Sequence, residues 1–420
     1  MQDRWVIHSD INNFFAAVAC LKNPAIRKLP VAICGDIKLR HGIVMAKNML
    51  AKDSGVKTAI TNGQALEKCP ELHIEPPDEE TYDEFSKDIN YYLYSNYSNL
   101  VEKFSIDESF IDITDLVRDK YDARIIADEI RIKMREEYGL TCSVGVSFNK
   151  SISKLASDLY KPDATTIITR ENFKEIVWKL PADSLIGIGK SAMRAFKIMK
   201  ITTIGDIAIA PVDLMEKIFG KWGWYFHRYA NGEENSSVKH KEYVIQPKTI
   251  GNVETTPRDM KTIEDVKRVI YMLSERVTSR MREQNYKCRT VQVSIREYDL
   301  KFCERQGKLE QPSYITNNIA EKAMDIFKTR YNFTKPLRSI GVKACDLVPE
   351  TVMIQNSFFD DIEQDEKREK IAKTMDRLRN MFGYEVIKRG ITLEDKILTT
   401  IPTDYNRSSY RIGSSVFNKA

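Results

Sequence analysis

Hydrophobic and polar positions change period several times along the chain, and each change marks an element. Residues 4–9 read as a short strand ending at Asp10. In the segment after it, Phe14, Val18 and Leu21 recur at helical spacing. A strand is expected over 30–36, then a strand running into a helix over 41–56, closed by Gly55. Residues 78–97 have a helical pattern. Phe104–Thr114, FSIDESFIDIT, is apolar and β-rich and reads as a strand. An amphipathic helix over 124–139, a strand over 142–148 and a helix over 149–161 follow. The order is therefore mixed α and β to about residue 166, and 167–240 is mostly helical. Residues 231–247 are polar and aperiodic, as in a linker. Beyond them, Val266, Ile270, Leu273, Val277 and Met281 mark a long helix. Residues 291–297 alternate, with Val291, Val293 and Ile295 opposite Gln292, Ser294 and Arg296, and 339–344 alternate likewise. This predicts a small α+β domain whose sheet has one polar, partly basic face. From Glu350 the chain is acidic, then helical over 364–382, then polar and loose from about 395. The helix puts Ile371, Met375, Leu378 and Met381 on one face, which suits either docking on the body or binding a partner.

The strand-like FSIDESFIDIT carries Asp107 and Glu108 in its middle. Burying two such charges costs several kcal/mol each unless something neutralises them. Asp10 ends another expected strand. If the two strands are neighbours, three carboxylates converge on one sheet edge. Hard oxygen ligands of this kind suit Mg²⁺ or Mn²⁺. A pair of such ions supports phosphoryl transfer. The other reading places Asp107 and Glu108 in an exposed turn between short strands. Phe15 likewise reads either as a core residue of its helix or as part of a site.

A length of 420 residues suggests about three domains. No apolar run approaches the roughly 20 residues that span a bilayer. The first residues show no basic-then-apolar signal, so a cytosolic protein is expected. Seven scattered cysteines without a C-x-x-C pair, and five histidines without an H-x-x-x-H pair, point to reduced thiols rather than zinc sites. Net charge is +5, and residues 241–350 alone hold 21 Lys/Arg against 15 Asp/Glu. That local excess suits either a solvated surface or a nucleic-acid face.

Three segments, HSDINNFFAAVA, FSIDESFIDIT and CSVGVSFNKSISKLASDLYKPDATTII, together resemble the signatures of Y-family (translesion) DNA polymerases of the bacterial polymerase IV and UmuC kind. The resemblance covers about residues 4–350. It implies an α/β multidomain right hand. The α+β palm would take 1–17 and 77–166, small fingers 18–76, and a helical thumb with a helix-hairpin-helix 167–232. A linker over 233–247, an α+β little finger over 248–350 and a tail over 351–420 would complete it. By the same resemblance Asp10, Asp107 and Glu108 are the catalytic, metal-binding carboxylates, and the Ile11 carbonyl also reaches a metal. The cofactor is then two Mg²⁺ ions, for which Mn²⁺ can substitute. Phe15 matches the steric gate that rejects a ribose 2′-hydroxyl, with Phe14 as its core neighbour.

Lys161 matches the family lysine on the incoming triphosphate, where a flexible ammonium acts as a point charge. Met49 and Lys52 stand where the usual bacterial pattern has Tyr and Arg, a departure shared by UmuC-like members of Gram-positive lineages. Lys52 keeps the charge, and Asn48, Lys47 and Arg40 are further nucleotide-binding candidates. LIGIGKSAMRAFKIM resembles a helix-hairpin-helix in which Gly187, Gly189 and Lys190 meet a DNA phosphate. Gln292, Ser294 and Arg296 would lie along the template–primer backbone. QNSFFDDI resembles a bacterial sliding-clamp motif, with Gln355, Phe358 and Phe359 in the anchoring places. The expected activity is template-directed DNA polymerisation by a monomer, on primer–template DNA and dNTPs, in translesion synthesis and without a membrane. The alternatives are a clamp-tethered DNA-binding accessory factor and, less compatible with the thumb and basic sheet, a nucleotide cyclase. Asp112 falls outside the matched trio and reads as structural. Ser105, Ser109 and Thr114 read as local hydrogen-bonding residues.

Overall fold

The computed structural model describes residues 4–35, 42–352 and 362–399. Two compact units meet in sequence at Val244 and Ile245.

The first unit contains β1 (Val6–Ile11), β2 (Val31–Cys34), β3 (Val44–Lys47), β4 (His73–Glu75), β5 (Val101–Lys103), β6 (Glu108–Asp112), β7 (Cys142–Ser147) and β8 (Thr165–Ile168). Strands β3-β2-β4 form a small sheet, and β5-β6-β1-β7-β8 form a larger one. In the larger sheet β1 is central, buried at all six residues and antiparallel to both β6 and β7. Strand alternation sends Ile7 and Ile11 into a core with Ile89 and Ile130. His8 and Asp10 take the opposite face, toward the helix Lys150–Leu159. That helix sits very close to β7. A Cβ on Gly145 would lie 2.0 Å from the Ser153 carbonyl oxygen and 2.4 Å from the Ser157 nitrogen. Only glycine permits this approach.

FSIDESFIDIT is not one strand but a turn followed by a strand. The amides of Phe104 and Ser105 both bond the Glu108 carbonyl, at 2.9 and 3.1 Å. The Ser105 hydroxyl donates to Asp107 Oδ1 at 2.6 Å. Such local bonds draw the chain out of the ladder. Asp107 therefore lies in the turn, and Glu108 opens β6. Asp112 is structural, accepting from the Thr114 amide and hydroxyl at 3.1 and 2.5 Å.

The first half of the expected linker is strapped to this unit. Lys150 Nζ reaches both oxygens of Glu102, at 3.1 and 2.9 Å, and the Lys239 amide donates to the same carboxylate at 2.9 Å. The Lys150 amide donates to Glu234 at 3.1 Å, and the Lys241 amide to the Asn99 carbonyl at 2.8 Å. Val238 is buried with Val6 and Phe110. Lys150 and Glu102 are only 2% and 7% exposed. Removing one partner of a buried pair leaves the other charge uncompensated. Lys150→Met is therefore expected to cost the first unit about 3–5 kcal/mol. Urea unfolding would show it, and an unchanged midpoint would contradict the pairing.

Residues 173–230 are helical around a core that includes Phe196, Ile204, Met215 and Phe226 and continues into Ile152, Leu155 and Ile168. In the second unit β9 (Thr249–Met260), β10 (Tyr286–Glu297), β11 (Phe302–Ser313) and β12 (Leu337–Pro349) form an antiparallel sheet, β11-β10-β12-β9. The helices Ile263–Glu283 and Thr316–Arg330 share one core with Val291, Val293 and Ile295. The later helix, Ile362–Phe382, docks on this unit with ion pairs, while Met375 and Leu378 of its apolar stripe are half-buried. Asp376 pairs with Arg282 at 2.5 Å, and Arg379 and Arg389 reach Glu275 at 3.1 and 2.9 Å. Ile371 and Met381 remain exposed. The chain expected to be loose from 395 is instead helical over Lys396–Thr399, where buried Leu398 joins the core. All seven cysteines are free thiols. Among the described residues no helix is long and apolar enough to cross a membrane.

Candidate active site

Asp10 stands directly opposite Glu108 across β1 and β6. The Ile11 amide bonds the Asp107 carbonyl at 3.0 Å, which brings the third acidic residue to the same end of the sheet. The exit from β1 is built by two asparagines. Asn12 accepts from the Ser143 hydroxyl at 2.9 Å, and its amide bonds the Thr141 carbonyl at 2.8 Å. Asn13 takes a φ of 52°, a left-handed conformation that asparagine tolerates, and the helix Phe14–Lys22 follows.

Two lysines cover the acidic charge. Lys161 Nζ lies 2.6 Å from Asp10 Oδ2 and 2.6 Å from Asp158 Oδ1. Lys154 Nζ lies 2.8 Å from Glu108 Oε1. The fully buried His8 places Nε2 3.6 Å from Glu108 Oε2, beyond hydrogen-bond length. The Ser157 hydroxyl donates to the Lys154 carbonyl at 2.7 Å, so it accepts from His8 Nδ1 at 2.8 Å. Neutral His8 then carries its proton on Nδ1, and Nε2 is left without a hydrogen-bond partner.

Burial pushes the Asp10 carboxyl up to about 7, against the pull of Lys161 and with the repulsion of Glu108. Burial also raises Asp107 and lowers His8. Burial alone would raise Glu108 too, yet that carboxyl is held below its ordinary range, with the Lys154 ammonium bonded beside it. Burial thus disfavours the ionised forms of Asp10 and Asp107. Among the described residues no three His, Cys, Asp or Glu side chains are already gathered as a cation cage. Asp10 and Glu108 each place one oxygen on a lysine. Hard oxygen donors at two strand ends, with ammonium groups covering their charge, fit a divalent cation of the Mg²⁺ type.

Phe15 is half-buried, and its ring stacks on Tyr82 at 4.3 Å and 18°. Tyr82 is buried with no partner for its hydroxyl, and Phe14 is in the core. Asn48 caps the helix Met49–Asp53. Its Oδ1 accepts from the Ala51 and Val31 amides at 3.0 Å each, and its Nδ2 donates to the Leu29 carbonyl at 2.8 Å. This amide is occupied by backbone, whereas Lys52 on the same helix is exposed. Lys47 bonds the Thr58 hydroxyl at 3.1 Å. Arg40, Gln355, Phe358 and Phe359 lie outside the described residues.

Gly187 has φ +89°, and Gly189 precedes the helix Lys190–Met199. A Cβ on Gly189 would meet nothing within 4 Å, so a ligand could approach its backbone closely. Lys190 is exposed, and upstream the chain makes a single 3₁₀ turn, Ala182–Ser184. On β10, Arg296 is exposed, Gln292 is half-buried and Ser294 is buried. Glu304, opposite Ser294, lies 3.8 Å from Lys343, so this face carries both signs of charge.

Sequence reasoning missed His8, Tyr82, Lys154 and Ser157. A signal existed for three of them. His8 shares the face of β1 with Asp10, and Lys154, Ser157 and Lys161 recur at steps of three and four residues.

The sequence profile of the impB/mucB/samB family matches residues 9–158, and that of its C-terminal domain matches residues 247–358. The chain is 42% identical to DNA polymerase IV of Acetivibrio thermocellus, over 95% of this chain and 100% of that protein. It is 31% identical to DNA polymerase IV 1 of Bacillus subtilis strain 168, over 98% of each. A solved Y-family DNA polymerase chimera shares the fold, with a TM-score of 0.73 at 24% identity, over 82% of this chain and 99% of that one. By sequence and fold alike, the chain belongs to the Y family of DNA polymerases, in its polymerase IV group, and is a DNA-directed DNA polymerase.

Proposed function

We propose that this polymerase extends a primer 3′ end by template-directed phosphoryl transfer at Asp10, Asp107 and Glu108, and that it serves translesion synthesis. The observation that carries this reading is the pairing of Asp10 with Glu108 across β1 and β6, with Asp107 beside them in the turn. Two Mg²⁺ ions held by these carboxylates and the Ile11 carbonyl would help deprotonate the primer hydroxyl and cover the charge of the leaving pyrophosphate. Lys161 and Lys52 would draw in the triphosphate, with Arg40 as a further contact, while Asn48, its amide held by backbone, would shape the loop that carries Lys52. Phe15, braced by Tyr82, would close the space beneath the sugar. Palm, fingers, thumb and little finger would follow the boundaries given above. Gly187, Gly189 and Lys190, together with Gln292, Ser294 and Arg296, would track the DNA backbone without reading its sequence. Gln355, Phe358 and Phe359 would bind the sliding clamp.

The test is extension of a primer by the purified full chain on an undamaged template and on one with a single abasic site. Extension past both positions is expected with Mg²⁺, and none with EDTA. No extension on either template would reject the site reading. Arrest before the abasic site alone would reject only the translesion role.

A further inference from the structure

Two lysines serve the acidic trio, and they are held very differently. Lys161 lies beyond the end of its helix, shares its charge between Asp10 and Asp158, and is about a third exposed at 32%. It is placed to leave Asp10 for another anion. Lys154 sits inside the helix Lys150–Leu159 and is 18% exposed. Its ammonium lies 2.8 Å from Glu108 Oε1 and 5.2 Å from the centre of the Phe104 ring. The ring face adds a second attraction for the cation. The helix itself cannot slide, because it is seated against Gly145 without room for a Cβ.

The other oxygen of Glu108 is not the one bonded by Lys154. It faces His8 Nε2 at 3.6 Å, and Ser157 leaves that nitrogen without a proton. Among the described residues, Lys154 is the side chain that donates a hydrogen bond to Glu108 within 3.5 Å. A carboxylate tied at one oxygen keeps its rotamer while the second oxygen is free to bind.

We infer that Lys154 is a positioning residue for Glu108, one that orients this carboxylate for divalent-cation binding without itself touching substrate. The inference rests on the proposed role of Glu108 as a metal ligand. Partners that orient metal ligands in this way are worth about 10–100-fold in metal affinity or activity when removed.

The test uses the full chain on primer–template DNA with a chain-terminated primer and the matching dNTP. Mn²⁺ binding is followed by electron paramagnetic resonance, and DNA affinity is measured in parallel. Lys154→Met is expected to raise the half-saturating Mn²⁺ concentration about 10–100-fold with DNA affinity unchanged, and Lys154→Arg to restore most of it. Lys154→Gln carries the same comparison should the methionine variant fail to fold. Unchanged Mn²⁺ binding in Lys154→Met would overturn the inference. So would a loss of DNA affinity with Mn²⁺ binding intact, which would make Lys154 a phosphate contact. The Asp107→Ala/Glu108→Ala variant separates the two levels of failure. If it loses Mn²⁺ while Lys154→Met keeps it, only the role of Lys154 falls. If it too binds Mn²⁺ normally, the reading of the site itself falls.

Discussion

Asp107→Ala combined with Glu108→Ala is expected to slow primer extension about a thousandfold or more, a loss of about 4 kcal/mol of barrier lowering. The two residues are adjacent, yet the fold uses them differently. Asp107 lies in the turn, with one oxygen taken by the Ser105 hydroxyl at 2.6 Å. Glu108 opens β6 opposite Asp10, with one oxygen taken by Lys154. Removing both leaves Asp10 alone, already matched by Lys161, so no group of carboxylates remains to hold a divalent cation. The fold should survive. Lys154 keeps the Phe104 ring when Glu108 goes. DNA affinity should stay within about a factor of two, since phosphate contacts rather than the carboxylates supply it. Single-nucleotide incorporation under single-turnover conditions measures the effect. Incorporation at the unmodified rate would reject the assignment.

Phe15→Ala is expected to lower the preference for dNTP over rNTP about a hundredfold in kcat/KM. A steric selector works only if it cannot yield. The Phe15 ring lies flat on buried Tyr82, at 4.3 Å and 18°, so the body of the protein backs it. Phe14 points into the core and cannot replace it. Alanine would leave a gap above Tyr82 wide enough for a 2′-hydroxyl. Incorporation of a dNTP should change far less than incorporation of the matching rNTP. Equal loss for both nucleotides would show that Phe15 merely packs.

Alternation and helical spacing made the elements around this site legible in the sequence, whereas the grouping of Asp10 with Asp107 and Glu108 rested on the resemblance of three motifs to a family. Asp10 ends a strand whose alternation is clear, and Val266 to Met281 announce a helix by spacing alone. Other parts depend on contacts that no local pattern records. FSIDESFIDIT has the composition of a strand, and its turn arises because Phe104 and Ser105 both bond the Glu108 carbonyl. Residues 233–241 look like a free linker because their partners, Glu102 and Lys150, are far away in the chain. Lys154 looks like one more exposed helix lysine until Gly145 brings its helix down onto the sheet. The helix Ile362–Phe382 carries an apolar stripe, but it also docks through Asp376 and Arg379, whose partners lie on another helix.

Anomalous diffraction tests the central claim most directly. The crystal would hold the full chain on primer–template DNA, with a chain-terminated primer, the matching dNTP and Mn²⁺. Two Mn²⁺ peaks about 4 Å apart are predicted, both bounded by oxygens of Asp10, Asp107 and Glu108. Peaks that lie away from these three residues, or no peak at the ends of β1 and β6, would contradict it.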